Sequence, residues 1–210
     1  MKLSRTQNAT NNLKWGVINK IVSLIIPFIC RTAIIRIFGI NYLGLNSLFT
    51  SVLSTLNLAE LGFGSAVVFF MYRAIAEDNK ERLCALLNYI KRAYQCVGLV
   101  VLAAGLALMP FLRYLIKSDV PAEINIYVLY LLTLASTVLS YFLFSYKSAV
   151  FHAHQKNDVL SKISTLVMTV EKILQIIFIF AFQNYYLYIS SAIIAGILNN
   201  LLVLVKSKKQ

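Results

Sequence analysis

The chain has 210 residues, of which 59% are hydrophobic and only 13% are charged, and its formal net charge is +12. About a quarter of the residues of a soluble domain are charged, so a chain of this composition cannot cover its surface with polar groups, and lipid must be its main solvent. The basic charges form short clusters between apolar segments, which is typical of membrane-protein loops and argues against nucleic-acid binding.

Six apolar segments predict six transmembrane helices. The first 14 residues are polar and lack a signal-peptide cleavage site, so we expect the apolar segment after them to be retained as the first span. The helices are predicted at about residues 15–37, 42–72, 93–112, 124–146, 160–182 and 185–205. Turns are predicted at Gly39-Ile40-Asn41 and at Gln183-Asn184, and Pro121 is well placed to begin the fourth helix.

A charged segment, residues 73–93, separates the second and third predicted spans. Apolar side chains recur within it at helical spacing, at Leu83, Leu86, Leu87 and Ile90, so we predict an amphipathic helix at about residues 77–92. Asp78, followed three residues later by Glu81, is expected to cap that helix. The sequence contains no evident repeat, and we predict one transmembrane domain over residues 1–210.

The distribution of lysine and arginine predicts the orientation. With the N-terminus in the cytoplasm, the inside segments contain 14 basic residues and the outside segments contain only Arg113 and Lys117. The inside residues are Lys2, Arg5, Lys14, Arg73, Lys80, Arg82, Lys91, Arg92, Lys147, Lys156, Lys162, Lys206, Lys208 and Lys209. The positive-inside rule therefore predicts both termini in the cytoplasm of a bacterial inner-membrane protein that crosses the bilayer several times.

The second predicted helix contains a polar stripe. Five residues fall within about 80° of one another at 100° per residue, namely Asn46, Thr50, Asn57, Glu60 and Gly64. Asn and Thr can join helices while Glu60 pairs with a neighbouring cation. The alternative is that the stripe lines a substrate cavity, since a charge near the bilayer centre costs on the order of 3 kcal/mol or more and such groups usually face a polar interior.

The fifth predicted helix contains the adjacent charges Glu171 and Lys172, with Gln175 on the same face as Glu171. Adjacent residues diverge by about 100° on a helix, so we expect that these two charges do not neutralise each other fully. One or both should then face another helix or water. A structural ion pair and a cavity role both remain open for them.

The first predicted helix contains Arg31, about one turn beyond Pro27. Lys20 and Arg36 lie nearer the two ends of this helix and can extend to the interfaces, so we interpret them as mainly structural. Arg31 lies deeper, where it either reaches the outer interface or holds a substrate phosphate. Arginine suits the second role because its planar guanidinium makes two-pronged contacts with phosphate.

The sequence lacks a nucleotide-binding loop and any catalytic triad or metalloprotease motif. His152 and His154 lie in a basic loop without a third ligand nearby, so we do not predict a metal site there. The three cysteines, Cys30, Cys84 and Cys96, lack metal-ligand spacing. We therefore predict that the chain is not an enzyme and that it needs no cofactor or metal.

Three segments are similar to a known family of transporters. They are YLGLNSLFTSVLS at 42–54, LAELGFGSAVVFFMY at 58–72 and ALLNYIKRAY at 85–94. The stretch from 38 to 98 that contains them resembles polysaccharide-export flippases of the multidrug/oligosaccharidyl-lipid/polysaccharide exporter superfamily, such as the O-antigen (Wzx-type) and repeat-unit transporters. The rest of the chain resembles these proteins mainly in hydropathy.

The resemblance implies an all-α polytopic fold in which six transmembrane helices form one lobe of a MATE-like, two-lobe transporter. The implied function is to flip polyprenyl-pyrophosphate-linked oligosaccharides across the cytoplasmic membrane by alternating access. The implied partners are the lipid-linked substrate, membrane lipids and a second six-helix lobe, with a polysaccharide polymerase and glycosyltransferases as further candidates. Arg31 and Lys172 would correspond to the cationic cavity residues of the family. Because the sequence contains one lobe, we expect it to work as part of a longer or paired transporter.

Two other functions remain open. A cation-coupled drug exporter of the same superfamily would use Glu60 as its proton or sodium site. A non-transporting fragment, or a membrane scaffold in a polysaccharide-assembly complex, would need no substrate cavity. The predicted cavity residues are thus Arg31, Asn46, Thr50, Asn57, Glu60, Glu171, Lys172 and Gln175.

Overall fold

The computed structural model describes residues 5–56, 63–116, 120–121, 123–143 and 145–207. These residues form α-helices joined by short turns, and none of them lies in a β-strand. The helices are α1 (Arg5–Ile37), α2 (Ile40–Leu56), α3 (Phe63–Ala76), α4 (Lys80–Leu108), α5 (Leu112–Leu115), α6 (Ile126–Phe142), α7 (Ser148–Ala153), α8 (Asn157–Ala181) and α9 (Tyr185–Ser207). A 3-10 turn precedes α5 and another precedes α7.

Four helical segments are long and apolar enough to cross a membrane, at Ala9–Ile37, Lys80–Leu115, Asn157–Ala181 and Tyr185–Ser207. Of two shorter apolar helices, Ala66–Ala76 overlaps the second predicted span and extends four residues beyond it, and Ile126–Phe142 falls within the fourth. Large apolar side chains on these helices are exposed, including Phe28, Phe69 and Phe180, which suits contact with lipid chains. The chain is therefore an all-α membrane protein, as its composition predicted. Six crossings and a two-lobe transporter fold stay predictions.

Several predicted boundaries differ from the structure. The amphipathic segment at 77–92 and the third predicted span form one continuous helix, α4, because no helix-breaking residue separates them. The predicted cap, Asp78, was wrong by one residue. The side chain of Asn79 accepts the hydrogen bond from the Arg82 amide at 2.9 Å, while Asp78 lies in the turn before it with φ of 49°.

Residues near Pro121 also differ from the prediction. The fourth predicted helix begins at Ile126, and its N-terminus is capped by Asn125, whose side chain accepts hydrogen bonds from the amides of Tyr127 and Val128. Pro121 instead lies in a turn, where its carbonyl accepts a 3.0 Å hydrogen bond from the Ile124 amide. The prediction that Pro121 begins the helix was therefore wrong. An Asn cap stabilises a helix start by about 1 kcal/mol, which favours this later start.

The helices pack in an order that differs from their order along the chain. The first helix packs mainly against α8, and α8 packs against α9. From α9 the contacts continue through α6 to α4 and then to α3 and α7. The largest buried cluster lies where α2, α4, α6 and α9 meet, around Phe49, Leu129 and Tyr130. This arrangement brings α1, α2, α8 and α9 close together.

Polar contacts join α1 to α8 along the first half of α1. The Asn12 side chain donates to the Gln155 carbonyl at 2.9 Å and accepts from the Asp158 amide at 2.7 Å. Seven residues further along α1, or about two helical turns, the side-chain amide of Asn19 donates to the Thr165 hydroxyl at 2.9 Å. Such interhelical hydrogen bonds stabilise membrane helix pairs by about 0.6 kcal/mol on average.

An aromatic cluster fixes α2 beside α9. The α1–α2 turn contains Gly39 with φ of 95°, a conformation that side chains rarely adopt. The rings of Phe38, Tyr42 and Tyr185 lie 4.9 to 5.5 Å apart between their centres, and the Tyr185 hydroxyl donates to the Tyr42 carbonyl at 2.8 Å. This contact holds the first turn of α2 against α9, so the polar residues further along α2 face α8 and α9.

Candidate functional site

Two adjoining cavities lie among α1, α2, α6, α8 and α9. The larger has a volume of about 370 Å³, and its walls include Asn46, Thr50, Glu171, Lys172 and Gln175. The smaller has a volume of about 270 Å³, and Arg31 and Lys172 are both in its wall. Four residues, Asn46, Thr50, Lys172 and Tyr188, line both cavities. We refer to the two together as the polar cleft.

The polar cleft brings together six of the eight cavity residues predicted from the sequence. These are Arg31 from α1, Asn46 and Thr50 from α2, and Glu171, Lys172 and Gln175 from α8. The remaining two, Asn57 and Glu60, lie outside the described residues. The packing of the helices brings these six residues together, since α1 and α2 are far from α8 in the sequence.

Glu171, Lys172 and Gln175 form a closed ring of hydrogen bonds. The Lys172 Nζ donates to Glu171 Oε1 and to Gln175 Oε1, and the Gln175 Nε2 donates to Glu171 Oε1, each at 2.9 Å. The two charges are therefore directly paired, with side chains only 16% and 19% exposed. The expectation that they do not neutralise each other fully was wrong, because both side chains are long enough to curve toward Gln175 one turn later. Both residues also line the larger cavity, which agrees with the expectation that one or both face another helix or water.

Arg31 is exposed and lines the smaller cavity. Among the described residues, no carboxylate forms an ion pair with its guanidinium. Because the charge of Lys172 is balanced by Glu171, Arg31 leaves the polar cleft with one uncompensated positive charge from its described side chains. A guanidinium without an ion-pair partner favours an anionic ligand, such as a phosphate, whose oxygens can accept two parallel hydrogen bonds.

The exposed surface of α2 is polar, and its buried surface is apolar. Tyr42, Leu45, Phe49 and Leu53 face the protein interior, whereas Ser47, Thr50, Ser51, Ser54 and Thr55 are exposed. This is the reverse of a helix that presents its outer face to lipid. Several hydroxyls donate to carbonyls of their own helix, as Thr50 does to Asn46 at 2.7 Å, so their oxygens still have capacity to accept hydrogen bonds.

Residues of α6 complete the larger cavity, and they are not among the residues predicted from the sequence. Thr133, Ser136 and Thr137 line its wall opposite α2. Their hydroxyls donate to carbonyls of α6 at 2.8 to 3.1 Å. The signal was present in the sequence, because these residues recur at helical spacing within an uncharged segment, as the polar residues of α2 do. Tyr188 of α9 was also missed, since three tyrosines among residues 185–188 do not indicate which of them faces a cavity.

A third and larger cavity, of about 740 Å³, lies beyond α5, beside Arg113, Glu123 and Tyr186. Within the described ranges, no three His, Cys, Asp or Glu side chains are placed to share a metal ion. The polar cleft therefore has the best-defined polar and charged lining for binding a ligand.

The described side chains of the polar cleft provide groups suited to binding. They offer a guanidinium, a paired ammonium, amide groups and hydroxyls, which together suit an anion with neighbouring sugar hydroxyls. Comparison of the chain with protein-family models, with curated proteins and with solved structures finds no match.

Proposed function

We propose that this chain is one six-helix lobe of a transporter that flips polyprenyl-pyrophosphate-linked oligosaccharides across the cytoplasmic membrane of a bacterium, with both termini in the cytoplasm. The observation that supports this most is the position of Arg31 and Lys172 in the wall of one membrane-level cavity. A pyrophosphate needs cations, and the resemblance of residues 38–98 to flippases names this substrate class. The reaction breaks no covalent bond, so binding groups suffice.

Each part of the substrate would contact a different part of the polar cleft or of the bilayer. Arg31 would contact the pyrophosphate, and Lys172 would contact it after exchanging part of its pairing with Glu171. The hydroxyls and amides of α2 and α6 would contact the sugars, since neutral hydrogen-bonding groups hold sugar hydroxyls. The polyprenyl tail would remain in the bilayer, beside the exposed apolar surface of α1.

A second lobe would complete the transporter. The exposed hydroxyls of α2 are costly to leave against hydrocarbon but suit a water-filled cleft between two lobes. In this proposal the second lobe, in the same polypeptide or as a separate chain, supplies the opposite wall. Alternating access would then open the polar cleft to one side of the membrane at a time. Polysaccharide polymerase and glycosyltransferases would be neighbours of the assembled transporter.

The direct test is complementation of a strain that lacks its own flippase for a surface polysaccharide. Co-expression of this chain with a matching second lobe should restore the surface polysaccharide, and Arg31→Ala should reduce it more than Arg36→Ala at equal protein levels. Arg36 is the matched control, because it lies on the same helix but outside the polar cleft. Equal and negligible effects of the two substitutions would remove Arg31 from the site.

The same strain distinguishes the half-transporter from a self-sufficient protein. The 210-residue chain alone should not restore surface polysaccharide in a host that has no second lobe. Full restoration by the chain alone would refute the need for a partner lobe. Assembly of polysaccharide at the inner leaflet without any export, in the presence of every candidate lobe, would instead favour a scaffold role.

The carboxylate of Glu171 in the larger cavity favours one alternative, a cation-coupled drug exporter. In such a protein the coupling ion would bind Glu171 after displacing Lys172 from it. Glu60 would be the other candidate site for the coupling ion. Drug efflux that stops when the proton and sodium gradients are collapsed, and that Glu171→Gln abolishes, would support the exporter. Flipping of lipid-linked oligosaccharide with no such efflux would support the first proposal.

A further inference from the structure

A groove separate from the polar cleft lies between α3, α4 and α7. Its volume is about 460 Å³. Its lining includes the apolar side chains of Val68, Phe69, Ile90 and Ala149, and the remaining lining residues are Tyr72, Tyr94, Ser148 and His152. We refer to it as the α3–α7 groove.

The floor of the α3–α7 groove is rigid and its mouth is open. Ile90 and Ala149 are buried in a compact cluster with Val67 and Met71, so they provide a fixed apolar surface. Phe69, on the outer wall, is 71% exposed. In a membrane-embedded chain, an apolar groove that opens outward at an exposed Phe is accessible from the lipid.

Two lysines from different elements lie beside Tyr146, which is next to the buried floor of this groove. The Nζ atoms of Lys91 and Lys147 lie 6.0 and 5.9 Å from the centre of the same ring, that of Tyr146. Tyr146 packs against the cluster that contains Ile90 and Ala149. Each lysine is also the sequence neighbour of a groove residue, since Lys91 follows Ile90 and Lys147 precedes Ser148.

The positive charge of these lysines is not balanced by neighbouring residues. Within residues 63–116 and 145–207, no carboxylate forms an ion pair with Lys91 or Lys147. Arg73 and Arg82, on the same two helices, differ, because both contact Glu77, at 2.7 and 3.5 Å. Neither lysine is therefore neutralised by an ion pair, which leaves both charges available to an external anion.

The lysines also mark the level of the lipid headgroups. Lys91 and Arg92 end the charged part of α4, and the next charged residue is Arg113. Lys147 ends an uncharged stretch that begins after Glu123. Where two apolar segments end beside each other, the chain meets the interface between hydrocarbon and headgroups. Val68 and Phe69 precede Arg73 in an uncharged stretch, so the α3 wall of the groove extends from that interface toward the hydrocarbon.

We propose that the α3–α7 groove binds one anionic phospholipid, with its phosphate between Lys91 and Lys147 and one acyl chain against Val68, Phe69 and Ile90. Basic pockets at the ends of membrane helices bind anionic headgroups through this combination of charge and apolar surface. The Tyr146 ring holds both ammonium groups in place by cation–π contact. This site does not depend on the transport proposed above, because it uses different residues on different helices.

The test uses the purified full chain in detergent, with lipid binding measured by native mass spectrometry. Dioleoyl phosphatidylglycerol should bind more tightly than dioleoyl phosphatidylcholine, which has the same chains but no net charge. Lys91→Gln/Lys147→Gln should weaken phosphatidylglycerol binding about 25-fold, since each lysine near the surface contributes about fivefold. Lys80→Gln/Lys206→Gln removes two exposed cations elsewhere and should change it less than twofold.

Two further measurements separate the lipid from its headgroup and from a folding defect. Glycerol 3-phosphate alone should not compete with the lipid at equal concentration, because it lacks the acyl chain. Lys91→Arg/Lys147→Arg should retain the preference for phosphatidylglycerol. Equal binding of the two lipids, equal losses in the two double glutamine variants, or full competition by glycerol 3-phosphate would each overturn the proposal.

Discussion

Gly105 of α4 lies so close to Leu134 of α6 that a Cβ atom on the glycine would come within 2.5 Å of Leu134 Cδ1. The Gly105 carbonyl also accepts a 2.9 Å hydrogen bond from the buried hydroxyl of Tyr130. The two helices are therefore in close contact at Gly105, which contacts the Leu134 side chain and accepts the hydrogen bond from Tyr130. Small residues permit this approach in membrane proteins.

Gly105→Ala should lower the free energy of unfolding by about 1 to 3 kcal/mol, because Leu134 is buried and cannot move away without strain. Gly196→Ala is the matched control, since no atom lies within 4 Å of the position of its added Cβ. That control should leave stability unchanged or raise it by up to about 1 kcal/mol. Detergent unfolding followed by circular dichroism measures both, and equal stabilities of the two variants would contradict the close contact.

Removal of one charge from the Glu171–Lys172 pair should cost more than removal of both. Lys172→Gln leaves a largely buried carboxylate without its cation, which costs about 3 kcal/mol or more. Glu171→Gln/Lys172→Gln keeps hydrogen-bonding side chains of similar size and should unfold less readily than Lys172→Gln. The two variants are compared by thermal unfolding in the same detergent. A double variant less stable than the single variant would show that the pair itself stabilises the fold.

The contact between Asn19 and Thr165 gives a third prediction. Asn19→Ala and Thr165→Val should each lower the free energy of unfolding by about 0.5 to 1.5 kcal/mol, and the double variant should show a coupling energy near 0.6 kcal/mol. Ser23 lies on the same helix and donates to the Lys20 carbonyl of its own helix, so Ser23→Ala is the control with little expected effect. Fully additive effects of Asn19→Ala and Thr165→Val would show that the two side chains do not interact in the membrane.

The charge asymmetry predicts which ends face outward. In a background without Cys30, Cys84 and Cys96, an impermeant thiol reagent added to intact cells should label Val120→Cys but not Lys80→Cys. Both positions are exposed on the protein, so accessibility from outside depends on the side of the membrane. Permeabilised cells provide the control, in which both positions should react. Labelling of position 80 alone in intact cells would reverse the orientation.

The helices were predictable because the length and the hydrophobicity of each apolar segment indicate a membrane helix directly. The last two helices follow the prediction within a few residues, and Asn184 caps α9 by accepting hydrogen bonds from the amides of Tyr186 and Leu187. The continuity of α4 was not predicted, because polarity changes at Lys91 and Arg92 while the backbone does not. Hydropathy marks the membrane boundary, whereas helix boundaries depend on breakers and caps.

The members of the polar cleft were predictable one helix at a time, but their meeting was not. Periodicity places Asn46 and Thr50 on one face of α2 and Glu171 and Gln175 on one face of α8. It does not say that α1 packs against α8, since the apolar surface of α1 is similar on several sides. The ring through Gln175 was missed for a different reason. Adjacent positions on a helix point their Cβ atoms about 100° apart, but the long side chains of Glu171 and Lys172 bring their charged ends together.

The pairing of the first helix with α8 also sets an order of events during synthesis. Asn12 and its partner Gln155 are separated by 143 residues. At roughly 5 to 20 residues per second, the ribosome needs on the order of 10 s or more to supply that partner. Throughout that interval, α1 resides in the membrane with Asn12 and Asn19 unsatisfied by their final neighbours. The contacts between α1 and α8 can therefore form only after α8 has been synthesised, so the final position of α1 is fixed late.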